Sequence, residues 1–150
     1  MTLTFRKALP EDMLDIFSWR NDIETRKNSF NSSEVSLEEH KSWFEKVLSS
    51  HSNHLFILLD NSEKIGVIRF DRLKNNIAEI SINLSPEKRG KGYGTLGIKL
   101  LSNYYLKEFN LDYILSKIKK ENASSINSFK QAGYILNKEE SECSEFIFKN

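Results

Sequence analysis

Short runs of apolar residues, each about the length of a β-strand, recur along the chain between turn-forming residues. Three of these runs follow one another in the middle of the chain, and the connections between them, NSEK and RLKNN, are typical of hairpins. The pattern predicts seven strands, over 2–8, 54–60, 64–71, 78–84, 113–119, 134–138 and 145–149. These segments are expected to form one central sheet.

Between the predicted strands, apolar residues recur at the spacing of an α-helix that buries one face. Ser36, followed three residues later by Glu39, is a capping box that begins one such helix. The pattern predicts four helices, over 10–22, 36–49, about 93–110 and 122–133. The residues predicted to face inward are Leu14, Phe17, Leu37, Phe44, Leu48, Leu96, Leu100 and Tyr104.

The order of the predicted elements, β-α-α-β-β-β-α-β-α-β-β, is that of an α/β protein with a mixed central sheet covered by helices. A length of 150 residues fits one domain, 1–150, with a core of ordinary size. The sequence shows no repeat, no linker and no low-complexity segment, so nothing in it divides this domain.

Composition excludes several classes of function. A net charge of +1, without a basic and aromatic surface stripe, argues against nucleic-acid binding. The single cysteine, Cys143, lies in a segment that reads as a polar tail, and the three histidines lack metal-ligand spacing, so we expect neither a disulfide nor a metal. The first residues contain no long apolar run, which predicts a cytoplasmic protein with no membrane partner, either monomer or homodimer.

The segment KRGKGYGTLGIKLL, residues 88–101, places three glycines at alternate positions where a helix begins. Glycine lets a ligand approach the backbone closely, and the first turn of a helix presents unpaired N–H groups that bind anions. Arg89 and Lys91 add positive charge. The segment therefore predicts a phosphate-binding loop.

Three other interpretations of this loop fit the sequence less well. A Walker P-loop requires Gly-Lys followed by Ser or Thr, which is absent here. The dinucleotide pattern G-x-G-x-x-G matches at Gly92, Gly94 and Gly97, with Asp112 or Glu121 as the ribose-binding acid, but too little chain surrounds it for a doubly wound sheet. A glycine turn that binds no ligand leaves both basic residues unexplained.

Two motifs carry a resemblance to a known family. SPEKRGKGYG is similar to the coenzyme A motif of the GNAT acetyltransferase superfamily, Arg/Gln-x-x-Gly-x-Gly/Ala, with Arg89, Gly92 and Gly94 at its fixed positions. NASSINSFKQAGY, residues 122–134, is similar to the second family signature, an Asn-x-x-Ser helix that ends in Gly-Phe/Tyr. The order of the elements also matches along essentially the whole chain.

The resemblance implies that acetyl-CoA lies in a gap between 78–84 and the strand beside it. The backbone of Ile82, Asn83 and Leu84 is then expected to pair with pantetheine, and a backbone N–H near Leu84 to bind the oxyanion. The remaining residues expected to bind the coenzyme are Arg89, Gly90, Lys91, Gly92, Tyr93, Gly94, Thr95, Asn122, Ser125 and Phe129. For Asn122 an ordinary helix cap is the alternative.

The segment AEISINL alternates between apolar and polar residues, and its polar face is expected to line the site. Glu79 on that face resembles the general base of known family members, which acts through water. Its alternative is a structural hydrogen-bond network. Where many members carry a tyrosine general acid, this chain has Phe129, which keeps open a third reading, a coenzyme-binding regulatory domain without catalysis.

The acceptor is predicted from the first third of the chain. SWRNDIETRK and SLEEHKSWF resemble segments of the nucleotide-amino-sugar N-acetyltransferases of the pseudaminic-acid type, and the first also resembles the ribosomal-protein N-terminal acetyltransferases. The predicted acceptor residues are Arg20, Asn21, Arg26, His40 and Ser81. Arginine suits a sugar nucleotide diphosphate, so an amino sugar is favoured over a peptide amine. The alternative for Arg20 is an ion pair with Asp15 or Asp22.

Overall fold

The seven predicted strands are present and form one mixed sheet. The structure is a computed structural model, and it describes residues 1–74 and 76–150. Along the sheet the strands follow the order β1-β2-β3-β4-β5-β7-β6. β4 and β5 are parallel, and the other neighbouring pairs are antiparallel. The strands are β1 Leu3–Lys7, β2 Asn53–Asp60, β3 Glu63–Lys74, β4 Ile77–Leu84, β5 Tyr113–Lys119, β6 Ile135–Glu139 and β7 Cys143–Phe148.

Five α-helices, one more than predicted, occupy the described residues. They are α1 Met13–Asn21, α2 Ile23–Asn28, α3 Leu37–Ser49, α4 Tyr93–Glu108 and α5 Ala123–Gln131. The unpredicted helix, α2, begins where Asp22 leaves the helical conformation and accepts a hydrogen bond from the N–H of Thr25, at 3.2 Å. Because α2 buries no residue, it has no apolar stripe by which periodicity could reveal it.

The predicted inward faces of three helices were partly wrong. Leu14, Leu37, Leu48 and Leu96 are all more than a third exposed, whereas Phe44 is buried as predicted. The residues that fill the interior instead are Ile16 and Trp19 of α1, His40 and Val47 of α3, and Ile98, Leu101 and Tyr105 of α4. In each helix two neighbouring stripes satisfy the helical spacing, so the spacing alone does not decide which stripe covers the sheet.

The sheet is buried on both faces, because alternate residues of its central strands point to opposite sides. On one side Phe56, Ile68 and Phe70 join the cluster beneath α4 and α5. On the other side Ile57 and Val67 join the cluster beneath α1 and α3. Cys143 lies buried in β7, so the prediction that it belongs to a polar tail was wrong.

Candidate active site

A cleft opens where the parallel strands β4 and β5 separate. Their pairing ends at Glu79 and Leu115, although β4 continues to Leu84 and β5 to Lys119. Beyond Glu79, β4 keeps a ladder partner on the β3 side alone. Its other edge therefore presents backbone N–H and C=O groups to the gap, as the resemblance implied.

The cleft has a volume of about 500 Å³ and extends from α4 and α5 on one side to α1, α2 and α3 on the other. The predicted site residues that line it are Arg20, Arg26, Glu79, Ser81, Ile82, Asn83, Leu84, Arg89, Gly94, Asn122, Ser125 and Phe129. The predicted residues outside its lining are Asn21, His40, Gly90, Lys91, Gly92, Tyr93 and Thr95. The last five of these belong to the loop and the first turn of α4.

The glycine loop has the conformation that a phosphate-binding loop requires. Gly90 and Gly92 have φ angles of +72° and +86°, in the left-handed region that side chains disfavour. A Cβ atom added at either position would meet nothing within 4 Å. Gly92 is also the N-cap of α4, so open space lies in front of the first N–H groups of a helix. These features fit the pyrophosphate of a coenzyme.

Two members of the loop direct their side chains elsewhere. The phenol of Tyr93 is buried and donates a hydrogen bond to Asp60 at 2.5 Å. Only the backbone of Tyr93 is therefore available to the phosphate-binding loop. The guanidinium of Arg89 contacts Asp22 at 2.5 Å and Glu24 at 3.1 Å, across the cleft. Lys91 is exposed and forms no ion pair with any described residue, so its charge remains available to a phosphate.

The second motif forms the opposite wall of the coenzyme side. Asn122 caps α5 by accepting a hydrogen bond from the N–H of Ser125 at 3.2 Å, so the alternative reading of a helix cap is confirmed. Phe129 is only 2% exposed, and its ring meets Tyr134 edge-on at 5.0 Å. The phenol of Tyr134 is buried and hydrogen-bonded to Ser102 at 2.7 Å, so it is not aimed at the cleft.

Glu79 lies at the point where β4 and β5 separate, with its carboxylate on the cleft. Burial raises the pKa of this carboxyl group above its usual value, and the positive charge of Lys117 opposes that rise. No hydrogen bond or ion pair occupies the Glu79 side chain among the residues the structure describes. A partly desolvated carboxylate without a fixed partner is suited to take up a proton, whereas the alternative of a structural network has no contact here to support it.

The acceptor end of the cleft contains two arginines and one tryptophan. The guanidinium carbon of Arg20 lies 4.8 Å from the ring centroid of Trp43, and that of Arg69 lies 5.8 Å from it. Arg69 pairs with Asp71 through Nε at 3.1 Å. Arg20 forms no salt bridge with a described carboxylate, and the alternative pairing with Asp15 or Asp22 is wrong, since Lys64 and Arg89 bind those residues.

The electrostatics of Arg20 are unusual for an arginine. Burial lowers the pKa of its guanidinium, and the positive charge of Arg69 lowers it further. Like charges held together over one indole repel each other unless an anion lies between or beside them. Asp71 balances the charge of Arg69, so Arg20 is the member of the pair that is suited to bind a negatively charged group of a ligand.

His40, a predicted acceptor residue, does not line the cleft and contacts Arg20 instead. His40 is fully buried, and burial lowers the pKa of its imidazole. Its neutral ring accepts from Arg20 at 3.3 Å through Nδ1 and donates to the Met13 carbonyl at 3.0 Å through Nε2. Direct contact between His40 and a substrate was therefore a wrong prediction, and the residue positions Arg20 instead.

The loop over 29–36 borders the acceptor end and is braced from α1 and α2. The side chain of Asn21 donates to the carbonyl of Val35 at 2.8 Å and accepts from its N–H at 2.9 Å. Asn21 thus supports the loop, and its contact with a ligand stays a prediction. Arg26 lines the cleft and donates to the carbonyl of Asn21 at 3.1 Å. Arg26 forms no salt bridge within the described residues.

The cleft residues that sequence reasoning missed include Trp43, Arg69 and Lys117. Arg69 and Asp71 alternate with apolar residues in an interior strand, a pattern that marked Glu79 and Ser81 one strand further along. The same signal could have found Arg69, which pairs in register with Ser81. Trp43 carries no such signal, because an aromatic residue of an amphipathic helix is normally part of the core.

Two kinds of feature are absent from the described residues, a metal-binding cluster and a membrane-spanning helix. No group of three or more His, Cys, Asp or Glu side chains in residues 1–74 and 76–150 is arranged to hold a metal ion. In the same residues, no helix has the length and the apolar character needed to cross a membrane.

A family comparison agrees with this geometry. The model of the acetyltransferase (GNAT) domain matches residues 2–135. The chain belongs to this family and is an acetyl-CoA-dependent N-acetyltransferase, with acetyl-CoA as its co-substrate.

The individual relatives of this chain within the family differ in their substrates and are distant in sequence. It is 25% identical over 126 residues to spermidine N(1)-acetyltransferase of Escherichia coli K12, covering 83% of this chain and 68% of the relative. The fold matches spermidine N-acetyltransferase from Vibrio cholerae in complex with CoA and spermine, with a TM-score of 0.88, 19% identity and coverage of 98% and 95%. It also matches Campylobacter jejuni N-acetyltransferase PseH in complex with acetyl coenzyme A, with a TM-score of 0.78, 16% identity and 99% coverage of both chains.

Proposed function

We propose that this enzyme acetylates the amine of a nucleotide-linked amino sugar. The observation that carries the proposal is the pair of arginines, Arg20 and Arg69, held over Trp43 at the acceptor end. Guanidinium groups bind phosphate with two parallel hydrogen bonds, and an indole stacks with a planar base. A sugar joined to a nucleotide diphosphate offers both groups in one molecule.

The charge of the cleft argues against a polyamine acceptor. Its charged lining residues are the cations Arg20, Arg26, Arg69, Arg89 and Lys117 and the carboxylates Glu24 and Glu79. Glu24 is already paired with Arg89. Spermidine and spermine, which the names of two relatives contain, carry several positive charges, and the one lining carboxylate left to pair with them in the described residues is Glu79.

The residues on the coenzyme side divide the work of binding. The free edge of β4 at Ile82–Leu84 pairs with the pantetheine amides, and the N–H groups of the loop and of the first turn of α4 bind the pyrophosphate. Acetyl-CoA, when bound, supplies an acetyl thioester at the point where β4 and β5 separate. A backbone N–H near Leu84 is placed to donate to the thioester oxygen, where negative charge develops during transfer.

Glu79 is the general base in this proposal. An amine must be neutral to attack a thioester, so a proton has to leave it. The raised pKa of Glu79 makes its carboxylate a better proton acceptor than an exposed glutamate, and a water molecule can relay the proton. Ser81, on the same face of β4, is exposed to the cleft and suited to hold an acceptor hydroxyl or that water.

A panel of acceptors tests the proposal. The purified enzyme is mixed with acetyl-CoA and one of three acceptor classes: UDP-linked sugars with the amine on C2 or C4, spermidine, or peptides with a free N-terminus. Release of free thiol is recorded, with no acceptor as the control. Turnover is expected with a UDP-linked amino sugar; turnover with spermidine or peptides alone would refute the proposal.

A further inference from the structure

Helix α2 lies beside the cleft without a hydrophobic attachment. None of its six residues is buried, and Ile23 is 76% exposed. A helix this short has no stability of its own in water. Its polar contacts to the rest of the protein therefore determine where α2 lies, and with it the loop over 29–36 that borders the acceptor.

Those contacts come from one residue in the segment after β4 and from one residue at the end of β5. Arg89 follows β4 and contacts Asp22 at 2.5 Å, Glu24 at 3.1 Å and the hydroxyl of Thr25 at 2.8 Å. Lys119, the last residue of β5, donates to the carbonyl of Lys27 at 3.1 Å. Helix α2 is thus fastened to both sides of the gap.

Arg89 makes the stronger of these attachments. Its guanidinium lowers the pKa of Asp22, so this carboxylate is ionised throughout the neutral range. Asp22 also caps α2 through the N–H of Thr25, so the same carboxylate holds both the arginine and the helix. A planar fork with several donors is needed to reach two carboxylates and a hydroxyl together.

We infer that Arg89 is a positioning residue for the acceptor side, although it belongs to the coenzyme motif. Its guanidinium holds α2 and the loop over 29–36 in position, while backbone N–H groups and Lys91 bind the phosphates of the coenzyme. The inference rests on the proposed function only in assigning the loop over 29–36 to the acceptor. The attachment itself can be tested without any acceptor.

The test uses Arg89→Gln, Asp22→Asn and the double variant. Asparagine is as good a helix cap as aspartate, so Asp22→Asn removes the ion pair and keeps the cap. Hydrogen–deuterium exchange of residues 22–36 and the dissociation constant of acetyl-CoA, by calorimetry, are measured for each protein. Lys91→Gln is the matched control, because it removes a cation of the same loop that makes no ion pair.

We expect each single variant to speed exchange in residues 22–36 by about threefold to tenfold, the range for a partly exposed ion-pair network. The double variant should be no worse than the worse single variant, since both remove the same interaction. Acetyl-CoA affinity should change by less than about twofold in these variants and fall further in Lys91→Gln. Arg89→Lys, which cannot form the fork, should recover part of the protection.

Two results would overturn the inference. One is Arg89→Gln weakening acetyl-CoA binding as much as Lys91→Gln while exchange in residues 22–36 stays at the parent rate. The other is additive effects of Arg89→Gln and Asp22→Asn on exchange. Neither readout uses an acceptor, so a failed acceptor panel together with these expected results would refute the proposed function and leave this inference standing.

Discussion

The coenzyme side and the acceptor side of the cleft are built by different means. The coenzyme side consists chiefly of backbone: a free strand edge, two glycines with positive φ and the N-terminus of α4. The acceptor side consists of side chains, chiefly Arg20 from α1, Trp43 from α3 and Arg69 from β3. A backbone site tolerates many sequences and binds one coenzyme, whereas a side-chain site changes with each substitution. We therefore expect specificity to reside almost wholly on the acceptor side.

Glu79 lies where the two sides meet, and its loss should have the largest effect. Glu79→Gln keeps the shape of the side chain and removes the base, so turnover should fall by roughly 10²–10⁴-fold. Acetyl-CoA affinity, measured by calorimetry, should stay at the parent value. Near-parental turnover at neutral pH would remove Glu79 from the mechanism.

The pH dependence of Glu79 gives the same prediction an independent signature. The base must be ionised, so kcat/KM should rise with pH through a pKa above the ordinary glutamate value of 4.5, and Glu79→Gln should lose this acidic limb.

A pKa that is raised by folding favours the protonated form, so Glu79 stabilises the fold least at high pH. Glu79→Gln should therefore raise Tm slightly at pH 7, and a lower Tm would contradict this reading.

Arg20→Gln tests the acceptor side alone and should have the second largest effect. Removing a charged donor to phosphate should raise the KM of a UDP-linked amino sugar by about tenfold to a hundredfold. Acetyl-CoA affinity should be unchanged, and Lys64→Gln, which alters a cation paired with Asp12 and Asp15 away from the cleft, is the control. If Arg20→Gln weakened acetyl-CoA binding as much as it raised the KM of the amino sugar, the two sides would not bind their ligands independently.

Gly92→Val tests the coenzyme side alone. A left-handed φ costs a residue with a Cβ about 1–2 kcal/mol, so the loop should relax and acetyl-CoA binding should weaken by about fivefold to thirtyfold. Gly97→Ala is the matched control. A Cβ there would lie 2.6 Å from Leu58, which should lower Tm without changing acetyl-CoA affinity. Unchanged affinity in Gly92→Val would show that this loop does not bind the coenzyme.

Phe129→Tyr should have the smallest effect. The added hydroxyl supplies a general acid if the ring edge faces the cleft, so turnover should rise by no more than about threefold, and most at low pH. Because Phe129 is 2% exposed and packs on Tyr134, the ring should stay in place. Parental turnover from pH 6 to 9 would mean that another group protonates the thiolate, while lost acetyl-CoA binding would mean that the hydroxyl does not fit.

The contrast between the coenzyme side and the acceptor side also explains which features could be predicted from the sequence. Strands, the glycine loop and the second motif depend on local spacing, so the seven strands of the sheet could be predicted from the residues. The separation of β4 from β5 and the role of Glu79 were implied by the family resemblance. Helix α2 could not, because it is six residues long and buries none of them. The contact of Arg89 with Asp22 joins residues 67 positions apart, a distance over which spacing carries no information.

His40 shows why the acceptor residues were partly misassigned. Polar residues in a helix are normally solvated or functional, so His40 and Arg20 had equal standing as ligands. In the structure Arg20 faces the cleft, and His40 lies fully buried behind it. The face that α1 and α3 each turn toward the sheet decides which residue reaches the cleft, and a hydrophobic pattern with two acceptable stripes does not determine that face.

The most direct test of the account compares acceptors that share one amine and differ only in phosphate. The value of kcat/KM for a UDP-linked amino sugar, for the same sugar 1-phosphate and for the free sugar is measured in the parent enzyme and in Arg20→Gln. The account predicts that kcat/KM falls with each phosphate removed and that Arg20→Gln largely abolishes this order while still acetylating the free sugar. Equal values for the three acceptors, or a spermidine value above all of them, would contradict it.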